Sequence, residues 1–107
     1  MTTFDPQAVL DSLEAEYAAR VTAIRRDLAA SHSPDSAEQA GERQNDEVLQ
    51  ALLVEAELGQ AQTAQAKLRL SAGSYGLCLR CGAAIAPARL QALPTAAWCL
   101  DCADRAE

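Results

Sequence analysis

Residues 75–102 read "YGLCLRCGAAIAPARLQALPTAAWCLDC", and all four cysteines of the chain lie within them. They form two Cys-x-x-Cys turns, Cys78/Cys81 and Cys99/Cys102, with seventeen residues between the pairs. Each turn brings two sulfurs close enough to share one ion, and the two together complete a tetrahedral S4 site. Gly82, directly after the first pair, lets the backbone turn back toward the metal. One pair alone is a weak signal; two at this spacing predict one structural zinc on Cys78, Cys81, Cys99 and Cys102. Other uses of paired thiols fit worse. A thioredoxin-like redox motif belongs beside a βαβ pattern, which this sequence does not show. Structural disulfides call for an oxidising compartment. A catalytic zinc keeps an open position and usually has fewer protein ligands. Trp98, adjacent to Cys99, is expected in the core of this lobe, covering the metal and the end of the preceding helix.

Upstream of the cysteines the pattern is helical. Asp5 before Pro6 supplies a capping carboxylate and a proline at the first helical position. Leu10, Leu13, Tyr17, Val21, Ile24 and Leu28 then recur at steps of three and four, one face of a helix over about residues 6–31. The segment "SHSPDSAE" breaks it, and Pro34 pushes Ser33 out of helical geometry while opening a second helix over 34–72. Leu49, Leu52, Ala56, Gly59, Thr63, Ala66 and Leu70 alternate strictly by three and four along that helix, as in a coiled-coil seam. Its small residues permit close approach but bury little area. A short connection between two long helices makes an antiparallel hairpin, and "AGSYG" is a glycine-rich exit from it. The expected architecture is all-α: a helical hairpin over 1–72, with its tip at 32–36, followed by a four-cysteine zinc finger over 73–107. His32, the single histidine, lies roughly 50 Å from the cysteines along a helix rising 1.5 Å per residue, too far to be a ligand.

Composition narrows the function. Half of the residues are hydrophobic, but alanine carries much of that figure and only Phe4, Tyr17, Tyr75 and Trp98 are aromatic, so the core is thin. A small domain with a thin core often needs a metal or crosslink. The formal charge is −6, with nine basic residues scattered among fifteen acidic ones. Duplex DNA binding needs a clustered basic surface that releases counterions, so a protein partner is expected instead. The opening "MTTFDPQAVL" has no basic region followed by an apolar run, and no stretch approaches the length of a membrane span. A cytoplasmic protein follows from that reading.

The cysteine segment resembles the DksA/TraR family of C4 zinc-finger proteins. Tyr75-Gly76, Gly82, Ile85, Arg89, Pro94-Thr95 and the seventeen-residue spacing carry the resemblance, and the hairpin extends it over most of the chain. The resemblance implies a transcription regulator that binds bacterial RNA polymerase without reading promoter sequence. In that family the hairpin enters the polymerase secondary channel and changes the lifetime of promoter complexes. The family's tip pattern, Asp-x-x-Asp-x-Ala, falls on "DSAEQA", which places Asp35, Glu38 and Ala40 on its positions; glutamate replaces the second aspartate. Acidic residues in a helix's first turn are favoured by its dipole by about 0.3–1 kcal/mol in any case, but the register with the zinc motif assigns these to the partner. The positions of the family's basic residues that help hold guanosine tetraphosphate are Gln62, Leu93 and Ala103. None can pair with a phosphate, so a nucleotide requirement is not expected, and TraR-type members act without one. The chain ends five residues after Cys102, as in a short DksA-like member.

The resulting expectation is a monomeric, non-enzymatic regulator of RNA polymerase, with Asp35 and Glu38 acting by charge near the active site. Its rivals are a generic zinc-knuckle and coiled-coil adaptor, an enzyme exchanging dithiols, and a sequence-specific DNA binder.

Overall fold

The computed structural model describes residues 4–30 and 39–105, with the side chains of 39–44 excepted. Four helices follow one another among the described residues: α1 Pro6–Ala30, α2 Gln39–Ala72, α3 Pro87–Ala92 and α4 Leu100–Asp104. Among the described residues there is no strand, only an isolated antiparallel bridge between Leu77 and Ala84. No helix there is long and apolar enough to cross a membrane. The expected tip and the expected start of the second helix at Pro34 lie outside the described residues.

The start of α1 follows its capping signal. The Asp5 carboxylate accepts the Ala8 N–H at 3.3 Å, and the Asp5 carbonyl accepts the Val9 N–H at 3.0 Å. Proline at the first position loses nothing, because its missing N–H would have had no helical partner. At its C-terminus, α2 stops in a Schellman arrangement. Gly73, at φ +80°, donates to the Leu70 carbonyl, and Ser74 donates to the Arg69 carbonyl at 2.9 Å.

The chain divides into two compact units, Met1–Glu14 with Gln62–Glu107, and Ala15–Ala61. In the second of these, α1 and α2 pack antiparallel. Val21, Ile24 and Ala56 are buried, with Leu28, Leu49 and Leu53 packed against them. The expected seam held at Leu49, Ala56 and Gly59 but not at Leu52, which is 45% exposed while Leu53 takes the inward place. From Leu49 the stripe steps four and then three, and adjacent leucines make either order readable from spacing alone. An Arg25–Glu57 ion pair at 2.8 Å crosses between the helices on the surface. Such exposed pairs contribute little; this one reports register.

Gly59 explains how close the two helices come. A Cβ at this position would overlap the Tyr17 ring, so the notch at Gly59 is the seat of that aromatic. Gly59→Ala is therefore expected to destabilise the protein by about 1 kcal/mol. Overpacking costs about 1–3 kcal/mol, and the gain in helix propensity, up to about 1 kcal/mol, offsets only part of it. Urea unfolding of Gly59→Ala alone and combined with Tyr17→Ala checks this. The glycine substitution should become neutral or stabilising once the ring is gone; equal costs in both backgrounds would refute the seat.

In the other unit, Leu10, Thr63 and Ala66 are fully buried between the start of α1 and the end of α2. Lys67 bridges Asp11 at 2.8 Å and Glu14 at 2.9 Å over them. The rest of this unit is the cysteine lobe.

Candidate metal centre

The first cysteine pair sits on a tight backbone knuckle that closes on itself. The Cys78 N–H donates to the Ala83 carbonyl at 2.8 Å, the Gly82 N–H to the Cys78 carbonyl at 2.9 Å, and the Ile85 N–H to the Gly76 carbonyl at 2.7 Å. Gly82 adopts φ +78°, the left-handed conformation that the turn back toward Cys78 requires. The second pair is presented differently. Cys99 is the N-cap residue of α4, in extended conformation, and Cys102 lies one turn into that helix.

The two presentations converge. The sulfurs of Cys78, Cys81, Cys99 and Cys102 all lie within 4.8 Å of one another, and those of Cys81 and Cys99 are 3.8 Å apart. A tetrahedron with Zn–S bonds of about 2.3 Å has S···S edges of about 3.8 Å. The four thiols therefore fit one ion, and their softness and number suit zinc. Four sulfurs fill a tetrahedron and leave no position for substrate, the mark of a structural site.

The centre and the core of its lobe are the same cluster. Cys78 and Cys102 are buried together with Ile85 and with Leu90 of α3, and Phe4, Tyr75, Ala96 and Cys99 pack around them. Trp98 is not part of it. Against expectation, its side chain is 38% exposed and lies beside the Arg80 guanidinium, 5.9 Å from the ring centroid. The small core is already filled by Ile85, Leu90, Phe4 and Tyr75, and neighbouring a ligand in sequence does not decide which way a side chain faces. The contribution of Phe4, seventy-four residues before Cys78, had no signal in the sequence beyond its being an unassigned aromatic. Helix α3 did have one, proline at its first position.

The thiols are electrostatically unequal. Burial pushes the Cys78 thiol up, but N–H groups of Cys99, Cys81 and Arg80 donate to its sulfur and lower it to about 6. Cys102 is pushed up to about 12 by burial and by hydrogen bonds with the other three cysteines. Metal binding displaces every thiol proton still present. Zinc affinity is thus expected to fall as pH falls, and to fall more steeply below about 6, where Cys78 adds one more proton to displace. Competition with a chelator of known pH response, from about pH 8 to about pH 5, checks the slope. A pH-independent affinity would contradict thiolate ligation.

The other predicted site residues are less visible. Asp35 and Glu38 lie outside the described residues, and Ala40 lies in α2 with its side chain undescribed. Gln62 and Leu93 are exposed and Ala103 is half-buried. What sequence reading missed is the set of side chains that hold the lobe's loop, Arg69, Tyr75 and Arg89.

Comparison with known proteins agrees with this anatomy. Residues 73–107 match the family described as prokaryotic dksA/traR C4-type zinc finger. Residues 7–68 match the DnaK suppressor protein-like N-terminal domain. Among solved structures, the transcription factor DksA2 from Pseudomonas aeruginosa is similar with a TM-score of 0.86 and 26% identity, over 94% of this chain and 78% of that one. No curated protein matches the sequence.

Proposed function

The chain belongs to the DksA/TraR family of C4 zinc-finger transcription factors, and from that we propose that it regulates transcription by binding bacterial RNA polymerase. In this reading the hairpin of α1 and α2 enters the secondary channel as a monomer in the cytoplasm. Asp35 and Glu38 act there by charge and hydrogen bonding near the active site, without turning over a substrate, and promoter-complex lifetime changes as a result. Zinc on Cys78, Cys81, Cys99 and Cys102 holds the finger lobe together and takes no part in a reaction.

The observation that carries the reading is that the family match runs in succession over the hairpin, 7–68, and the finger, 73–107. The acidic balance of the chain, −6, supports a protein partner over duplex DNA. A pull-down with core RNA polymerase, repeated with a competitor that occupies the secondary channel, tests it. Capture that the competitor abolishes is expected. Absence of capture would overturn the reading in favour of an adaptor for some other protein.

The nucleotide response follows from the same positions. Gln62, Leu93 and Ala103 offer no positive charge to a phosphate. Guanosine tetraphosphate is therefore expected to enhance the effect of this protein less than that of a DksA bearing basic residues there. In-vitro transcription with a polymerase lacking its other site for the nucleotide measures this; equal enhancement would refute it.

A further inference from the structure

The segment between α3 and the second cysteine pair has no secondary structure of its own, yet its carbonyls are held from several directions. The Tyr75 hydroxyl donates to the Pro94 carbonyl at 2.7 Å, and Arg69 Nη2 reaches the Thr95 carbonyl at 3.3 Å. The Leu79 N–H donates to the Ala97 carbonyl at 2.8 Å, and Arg89 Nε donates to the Trp98 carbonyl at 3.0 Å. Trp98 is 38% exposed and its side chain is not part of the lobe's buried core. Its carbonyl is what is gripped.

That grip bears on the metal through one peptide unit. The Trp98 carbonyl and the Cys99 N–H belong to the same plane and point in opposite directions. The Arg89 guanidinium therefore holds one side of the peptide that leads directly into Cys99, the N-cap residue of α4. The same plane also fixes where the Cys99 side chain begins.

We propose that Arg89 is a positioning residue of the zinc centre, orienting Cys99 through the Trp98–Cys99 peptide. Arg89 touches no sulfur in doing so. It lies on α3, so it couples the second cysteine pair to the helix that supplies Leu90 to the lobe core. A charge-assisted donor suits the task better than a neutral one, because it is shorter and stronger at a half-exposed position.

The test uses the full chain with Arg89→Ala and with Arg89→Lys, which keeps the charge and one kind of donor. Zinc affinity is read by chelator competition, and ligand geometry by the absorption of the cobalt-substituted protein. Loss of a supporting hydrogen bond around a metal site typically costs about 10–100-fold in affinity. Arg89→Ala is expected near the lower end, about tenfold, with shifted cobalt bands and an unchanged stability of the metal-free protein. Arg89→Lys should fall between that variant and the parent, and it carries the test if the alanine variant does not fold. Parental affinity and cobalt spectrum in the variants would overturn the proposal. So would an affinity loss matched by equal destabilisation of the metal-free protein, which would make Arg89 a general support of the lobe.

Discussion

Cys99→Ser is expected to lower zinc affinity by more than a hundredfold and to loosen the finger lobe while leaving the hairpin largely helical. Structural zinc supplies about 10–16 kcal/mol of apparent binding free energy, so one ligand in four stands for roughly 3 kcal/mol or more. The loss spreads through the lobe because the centre and its core are one cluster. Cys78 and Cys102 are packed with Ile85 and Leu90, and two of the four buried residues of that core are therefore metal ligands. It should not spread to the cluster of Val21, Ile24 and Ala56, which contains no cysteine. Metal analysis of the parent should find one zinc per chain. Far-ultraviolet circular dichroism of the variant should retain most of the helical signal, while the lobe becomes open to proteolysis. A parent without zinc, purified in the absence of chelators, would refute the assignment. A variant with full zinc would remove Cys99 from the ligand set.

The second large effect is expected at the tip. Asp35→Asn should nearly abolish regulation of transcription while polymerase binding survives. Binding area in the proposed complex lies along the hairpin and the lobe, whereas the tip makes few contacts and places charge beside the reaction centre. Asparagine is close in shape to aspartate and is itself a good helix cap, so the substitution separates charge from folding. If Asp35 merely favours the start of a helix, the cost is about 0.3–1 kcal/mol of stability and regulation stays intact. Glu38→Gln should act in the same direction and more weakly, because its longer side chain is less fixed. Competition for polymerase and promoter-complex lifetime, measured on one preparation, distinguish the cases. Normal regulation in both variants would remove the tip from the mechanism, and parallel loss of binding and activity would point to docking or misfolding instead.

Much of this molecule could be read from residue order, for identifiable reasons. The Leu10-to-Leu28 stripe of α1 is inward because 3.6-residue periodicity has one solution when apolar residues are sparse; all six of its members are buried or half-buried. The four-sulfur site was legible because two short turns fix ligand geometry locally. The choice of Leu53 over Leu52 was not, since both satisfy helical spacing and only the partner helix decides. Trp98 was misplaced because a chain position beside a ligand carries no information about side-chain direction. The carbonyl grips of Tyr75 and Arg89 were out of reach for a deeper reason. They join residues nineteen and nine positions apart through a loop with no periodicity, so no pattern announces them. Arg89 and Tyr75 had stood out only as points of family resemblance, without a role.

The polymerase reading is tested most directly by hydroxyl-radical cleavage of this chain in complex with RNA polymerase, with ferrous iron substituted for the catalytic magnesium. Radicals formed there cut whatever backbone lies beside the active site. Cleavage is expected within residues 31–40 and absent from the finger, 73–105. No cleavage in a demonstrated complex, or cuts confined to the finger, would contradict entry of the hairpin tip into the secondary channel.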